Sequence, residues 1–399
     1  MYKRAAVLLK CLLLPLLLTG CWSSKEIEDL ALYTGLALDV GEPAPVEQDF
    51  EAKGAVYSKQ NKVMATVQIV PVQAMGLKDA SQSNNMPSDP YHNISGTGDS
   101  ILEIFRQFSL RLDRPIIGHH LKVIVISARL LQHYGIEQLT DFVLRDNDIR
   151  PSTMVFISEG SARDTLGNSN PNEVPSLHIA GMLRNRQRTS KVLAPVTLAK
   201  LDALTHAHKS FVLQNLVTAG GEVEFSGAGI IKGDDGRWIG ALNEEDTECL
   251  EWLKSAGDSG VIKIEKDWDS EPLTYEIKDM TSKVTSKADG DRISFEVAVS
   301  TKGRLIETWN TDSTPTTHAF AAKIEEIVRK RLEQMMETLM RKLQTEYKVD
   351  AAGFGEKLAV QHPAAWRGVK EHWDEVFSGS KVTFKYDVKI TDFGSFTEE

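Results

Sequence analysis

The chain has 399 residues, 41% of them hydrophobic and 26% charged, which is enough to build two or three domains with real cores and excludes wholesale disorder. Its 46 Lys and Arg stand against 56 Asp and Glu, a net charge of -10. That balance excludes a mainly electrostatic nucleic-acid binder, which needs a basic face to neutralise phosphates.

The N-terminus carries the first motif. Lys3 and Arg4 precede an apolar stretch over residues 5–18, interrupted by Lys10 and Pro15. It is too short and broken for a comfortable membrane span and fits an export signal over residues 1–20. It ends Leu18-Thr19-Gly20-Cys21, small residues before a cysteine, the form of a bacterial lipobox. The expectation is cleavage between Gly20 and Cys21, with a diacylglycerol thioether on Cys21. Two acyl chains give stable anchoring where one gives only marginal binding. Cleavage removes Lys3, Arg4 and Lys10 and no acid, so the mature surface gains nothing from anionic headgroups. With Cys11 in the leader and Cys21 lipidated, Cys249 is left as the single thiol, and no intramolecular disulfide is expected.

After the anchor, residues 31–40 read as a buried strand ended by Gly41-Glu42-Pro43, and residues 62–70 as a second, closed by Pro71. Residues 78–99, rich in Ser, Asn, Asp, Pro and Gly, read as a long exposed loop. Ser100 and Glu103 fit a capping box, ahead of Ile101, Ile104, Phe105 and Phe108 on one helical face. Residues 121–126, apolar apart from Lys122, read as a buried strand. Helices follow at 128–134 and 136–144, a strand at 153–158, then helices at 161–166, 176–188 and 198–204.

Beyond residue 210 short β-rich runs separated by glycines take over, which marks a domain boundary. An acid-started helix at 244–254 precedes strands at 261–265, 273–284 and 292–301. A long helix is predicted over 317–347, with Phe320, Ile324, Ile327, Val328, Leu332, Met335, Met336, Leu339, Leu343 and Tyr347 on one stripe and Glu325–Arg329 and Glu326–Lys330 paired on the polar side. The stripe is expected to pack on the C-terminal sheet, the alternative being a docking face for a partner. Helical pieces at 356–360 and 366–377 lead to a closing strand at 381–390. Helices and strands mix without regular alternation. The expected class is therefore α+β, with antiparallel-rich sheets in two to three domains: a region 21–210 of one or two domains and a domain 211–399.

Few constellations invite chemistry. Gly257-Asp258-Ser259-Gly260 resembles the serine segment of trypsin-like proteases, but sits between a helix and a strand as ordinary turn chemistry. His119-His120 and the pair His206 and His208 lack the carboxylate or cysteine spacing of a zinc site, although the second pair would share one side of a strand. Asp267, Asp269 and Glu271 mimic a calcium loop, but Pro272 and Lys278 replace its required Gly and Glu. Gly96-Thr97-Gly98-Asp99-Ser100 precedes a helix, yet Asp99 would repel an anion there. No enzyme, metal or cofactor is expected.

Cys21-Trp22 with Lys25-Glu26-Ile27 resembles the mature start of the Ger(x)C family, the lipoprotein subunits of endospore germinant receptors. The resemblance continues in order through His120-Leu121-Lys122-Val123-Ile124-Val125-Ile126 and Arg145-Asp146-Asn147-Asp148-Ile149-Arg150. It extends through Phe225-Ser226-Gly227-Ala228-Gly229-Ile230 to Gly353-Phe354-Gly355, Pro363, Trp366, Trp373 and Phe377. Ser23-Ser24 departs from the acidic-basic pair expected of many relatives. The resemblance implies three mixed α/β domains without enzymatic activity, held by lipid on the outer face of the spore inner membrane. There the chain would assemble with two integral-membrane receptor subunits in a complex that answers nutrients. The competing expectation is a lipid-anchored solute-binding protein, against which stands the missing two-lobed strand–helix alternation.

Overall fold

The computed structural model describes residues 29–71, 90–167, 170, 172–264, 272–290, 292–308 and 318–392. The leader, Cys21 and the acidic triplet Asp267, Asp269 and Glu271 lie outside the described residues. The architecture is α+β, built on two sheets.

Strand β1 (Ala31–Val40) pairs antiparallel with β2 (Val63–Val70), and β2 with β3 (His92–Gly98). On its other side β1 runs parallel to the short β4 (Ile116–Ile117) and to β5 (Val123–Ser127). β5 is parallel to β6 (Met154–Ser158), which also carries the short β7 (Val196–Thr197). β6 in turn is parallel to β8 (Phe211–Ala219), from which β9 (Glu222–Ile231) and β10 (Trp238–Leu242) continue as an antiparallel meander. The ten-stranded sheet has the order β10-β9-β8-β6-β5-β1-β2-β3, with β4 and β7 off that path.

Helices α1 (Pro45–Ala52), α2 (Ile101–Phe108), α3 (Ala128–His133), α4 (Ile136–Arg145), α5 (Pro175–Met182) and α6 (Leu198–His206) connect these strands. Ile124 and Ile126 of β5 join one core with Ile104, Leu139 and Leu201, while Val123 and Val125 join another with Leu166 and Ile179. A strand buried on both faces needs an uninterrupted apolar run, which is why residues 123–126 show no alternation.

Part of the expected exposed loop at 78–99 is instead β3, buried from residue 94 to 98. Its sequence, HNISGTG, hides the strand because its contacts are polar or close-range. Ser95 Oγ shares a 2.8 Å hydrogen bond with Thr66 Oγ1, and a Cβ on Gly96 would lie 2.9 Å from the Phe108 ring. Glycine there lets α2 lie close on the strand. α1 was likewise not signalled by the sequence pattern. Its Glu47 accepts from Lys59 Nζ at 2.7 Å and from the Thr97 N–H at 2.9 Å, tying the helix to β3. At the start of α2, Ser100 Oγ accepts from the Glu103 N–H as expected, but the Glu103 carboxylate reaches back to the Asp99 N–H at 2.9 Å rather than to Ser100. The expected helix at 161–166 is a 3₁₀ turn over Arg163–Leu166, held by the Asp39 carboxylate, which accepts the Ala162 and Arg163 N–H groups at 2.8 Å each.

Helix α7 (Glu244–Leu253) leads into the second sheet, β11 (Gly260–Ile264), β12 (Leu273–Asp289), β13 (Arg292–Thr308) and β14 (Lys381–Asp392). The first three are antiparallel and β14 runs parallel to β13. α8 (His318–Arg341) spans 24 residues, and its final predicted turns are a π-helical segment at Lys342–Glu346. The stripe packs on the sheet: Ile324, Val328, Leu332, Met336 and Leu339 share one core with Tyr275, Val297 and Val299. On its polar side the expected Glu325–Arg329 pair is replaced. Arg329 binds Glu326 and Glu333, and Glu325 accepts the backbone N–H of Ile390 on β14 at 2.9 Å. Helices α9 (Phe354–Gln361), α10 (Pro363–Val369) and α11 (Trp373–Gly379) cap one end of this sheet, where Phe354 meets Phe295 edge-on with ring centroids 4.9 Å apart.

The boundary expected near residue 210 falls between α6 and β8. The larger sheet runs on across it: Phe211, Leu213 and Ile231 enter the core built on β1–β7, whereas Val212, Ala228 and Ile230 enter the core of the second sheet.

Candidate functional site

A cleft of about 1550 Å³ opens between the C-terminal end of α6, the start of β8 and the α9–α11 cap. The chain folds this way locally because one carboxylate organises the cap. Asp350, buried to 8% exposure, accepts the backbone N–H groups of Ala352, Gly353, Phe354 and Gly355 at 3.2, 2.8, 3.1 and 2.6 Å. It also accepts the indole N–H of Trp373 at 2.8 Å. This is an internal anion seated at the N-terminus of α9, where free donors and the helix dipole favour negative charge. Gly353, at φ 84°, supplies the left-handed turn that aims those amides inward.

A second carboxylate links the cap to the larger sheet. Asp374 accepts the Asp350 N–H at 3.0 Å and the Ser210 hydroxyl at 2.8 Å, and Ser210 Oγ accepts the Gly233 N–H at 3.0 Å. Burial raises the Asp374 pKa, opposed by these hydrogen bonds.

Charges around the cleft are unevenly matched. Lys209 pairs with Glu356 at 2.9 Å and Lys232 with Asp234 at 3.4 Å, while Lys370 pairs with Glu371 at 3.1 Å. Lys200, Lys254, Lys348 and Lys357 also line the cleft and have no ion pair among the described residues. Lys254, at the end of α7, is partly buried, and burial lowers its pKa.

A second polar feature lies at the junction of α7 with the segment after α5. Glu244, Glu248 and Glu251 fall on one face of α7 by their spacing. Lys191 Nζ binds Glu244 at 2.9 Å and Arg186 binds Glu251 at 3.2 Å. Between them Glu248 is 2% exposed, and its Oε1 has no hydrogen-bond partner among the described residues. Burial pushes its pKa up to about 8, with Lys191 opposing the shift and Glu245 and Glu244 adding to it.

The residues singled out from the sequence are scattered. Ser259 sits in the turn between α7 and β11, its Oγ buried and without a hydrogen-bond partner among the described residues, whereas a serine nucleophile needs a base on that oxygen. Its carbonyl accepts from Ser190 Oγ and from Trp252 Nε1. His119 lies 3.7 Å from Asp148, with both side chains about half exposed. His206 closes α6, with Nδ1 2.9 Å from the Asp202 carbonyl, and His208 follows in a turn at φ 48°, so the pair does not lie on a strand. Among the described residues no group of three or more His, Cys, Asp or Glu is arranged to hold a metal. Gly96 and Gly98 are part of β3, and Asp99 Oδ1 accepts the Gln60 N–H at 2.8 Å. Cys249 is fully buried, and burial raises its thiol pKa well above the usual value.

Sequence reasoning missed the cleft lysines and did not assign a role to Asp350. The only signal was Gly353-Phe354-Gly355, a small-residue turn ahead of a helix three residues after an acid.

With a ten-stranded mixed sheet joined to a smaller helix-backed one, the molecule has the build of a known class. Residues 23–216 match the spore germination protein N-terminal domain, and residues 226–394 match the C-terminal domain described as spore germination B3/GerAC-like. The chain belongs to this family of spore germination proteins, as the ordered segments from Cys21 to Phe377 suggested. It is 36% identical over 392 residues to the spore germination protein YndF of Bacillus subtilis (strain 168), covering 98% of this chain and 96% of that protein. To spore germination protein B3 of the same organism it is 29% identical over 385 residues, covering 95% and 96%. The crystal structure of the GerBC protein shares the fold, with a TM-score of 0.61 at 24% identity over 84% of this chain and 96% of that one.

Proposed function

We propose that this chain is the lipid-anchored, non-catalytic subunit of a spore germinant receptor, acting through protein–protein contacts at the outer face of the spore inner membrane. The observation that carries the reading is the Leu18-Thr19-Gly20-Cys21 segment, placed just ahead of a family match that begins at residue 23. No helix among the described residues is long and apolar enough to cross a membrane. Two acyl chains on Cys21 supply the attachment that the acidic folded surface does not. The partners are two integral-membrane subunits of the receptor, and the complex answers nutrients.

Replacing Cys21 with Ala is expected to move the protein from the membrane to the soluble fraction, with about a tenfold or greater loss of membrane-bound chain. It is also expected to slow nutrient-triggered germination. Retention of the variant on membranes at the wild-type level would remove the anchor from this reading. Unchanged germination in spores lacking the chain altogether would remove the receptor role.

A further inference from the structure

The cleft between α6 and the α9–α11 cap holds more positive charge than its own carboxylates use. Asp350 is committed to the amides of α9 and to Trp373, and Asp374 to Ser210 and the Asp350 N–H. Glu356, Asp234 and Glu371 each hold a lysine already, which leaves Glu375 against Lys200, Lys254, Lys348 and Lys357 along the lining. Lys200 and Lys254 both line the cleft, one on α6 of the larger-sheet region and one at the end of α7. Neither has an ion pair among the described residues. A partly buried ammonium with no carboxylate in direct contact is costly, and an anion arriving from solvent relieves that cost.

Trp366 and Trp373 line the same cleft and meet edge-on with ring centroids 5.4 Å apart, giving it a stiff apolar wall. Concave sites of mixed lining with a few convergent charges are where small solutes bind.

We propose that this cleft binds a compact polyanion, a phosphate- or carboxylate-bearing solute with at least two negative charges, gripped between Lys200 and Lys254. Bound there, it joins the two regions by bridging α6 to α7. The site belongs to the folded part of the chain and does not depend on Cys21 or on the receptor reading, so the two stand or fall separately.

The test uses the full chain with its anchor, in detergent micelles. Inorganic pyrophosphate and citrate are titrated at constant ionic strength set with sodium chloride. Two readouts are followed: the thermal midpoint, and acetylation of Lys254 and Lys200 measured by peptide mass spectrometry. Saturable stabilisation by either anion is expected, with protection of both lysines at the same concentrations. Which anion acts tells a phosphate-bearing from a carboxylate-bearing solute. Lys254→Met is expected to weaken half-saturation about tenfold or more, the size of a lost charged hydrogen bond, and Lys254→Arg to restore most of it. A midpoint that moves no more than with chloride alone would overturn the proposal. So would stabilisation that leaves Lys254 and Lys200 unprotected. Should Lys254→Met fail to fold, the protection pattern in the unaltered chain decides alone.

Discussion

Asp350→Ala is expected to destabilise the C-terminal region by about 3 kcal/mol or more, because it strands several buried donors at once. Four backbone N–H groups and the Trp373 indole converge on that one carboxylate. None has an alternative acceptor among the described residues. Phe354 and Trp373 pack on Phe295 behind the turn, and Phe377 packs on Phe354, so release of α9 also loosens the aromatic cluster. Asp350→Asn keeps the shape and one acceptor oxygen but loses the charge, and is expected to cost about half as much. The measurement is the urea midpoint of the three proteins, followed by tryptophan fluorescence. A loss below about 1 kcal/mol for the alanine variant would show that the amides are satisfied elsewhere.

The second large effect is a gain. Glu248 is buried, one of its oxygens is unpartnered, and its pKa is raised from 4.5 to about 8. The folded chain therefore holds a proton on Glu248 that the unfolded chain releases above pH ~4.5. Between there and pH ~8 the folded state binds more protons, so stability falls as pH rises through that window and levels off above it. Glu248→Gln keeps the neutral shape and removes the titration. It is expected to match the unaltered protein near pH 5 and to exceed it by on the order of 4 kcal/mol at pH 8.5. Denaturant midpoints at both pH values check this. Parallel pH profiles for the two proteins would show that Glu248 is solvated and ionised in the fold.

What the sequence made legible follows from periodicity. The stripe from Phe320 to Leu343 and the face Ile101, Ile104, Phe105 and Phe108 were readable because a helix against a core repeats every three or four residues. The run at 123–126 was readable because it is apolar on both faces. β3 was not, since its burial rests on small residues under Phe108 rather than on hydrophobic ones. The Glu325–Arg329 expectation failed because Glu325 meets a strand 65 residues away, a contact that local spacing cannot carry. The cleft was invisible for the same reason. Lys200, Lys254 and Trp366 come from three distant stretches, and none has a feature in its own neighbourhood that sets it apart. Asp350 was half visible, in that the glycines after it announce a turn but not which acceptor closes it.

The meander β8–β10 has one consequence for how the molecule is made. Its strands offer Phe211, Leu213 and Ile231 to one interior and Val212, Ala228 and Ile230 to the other. Neither interior is closed until that ribbon is in place. During synthesis, then, the first half waits with an open sheet margin at β6 until the ribbon emerges, and the ribbon stays greasy on one side until α7 and the last four strands have followed. Truncation ahead of the ribbon therefore leaves both interiors open, whereas truncation beyond it leaves only the second unfinished.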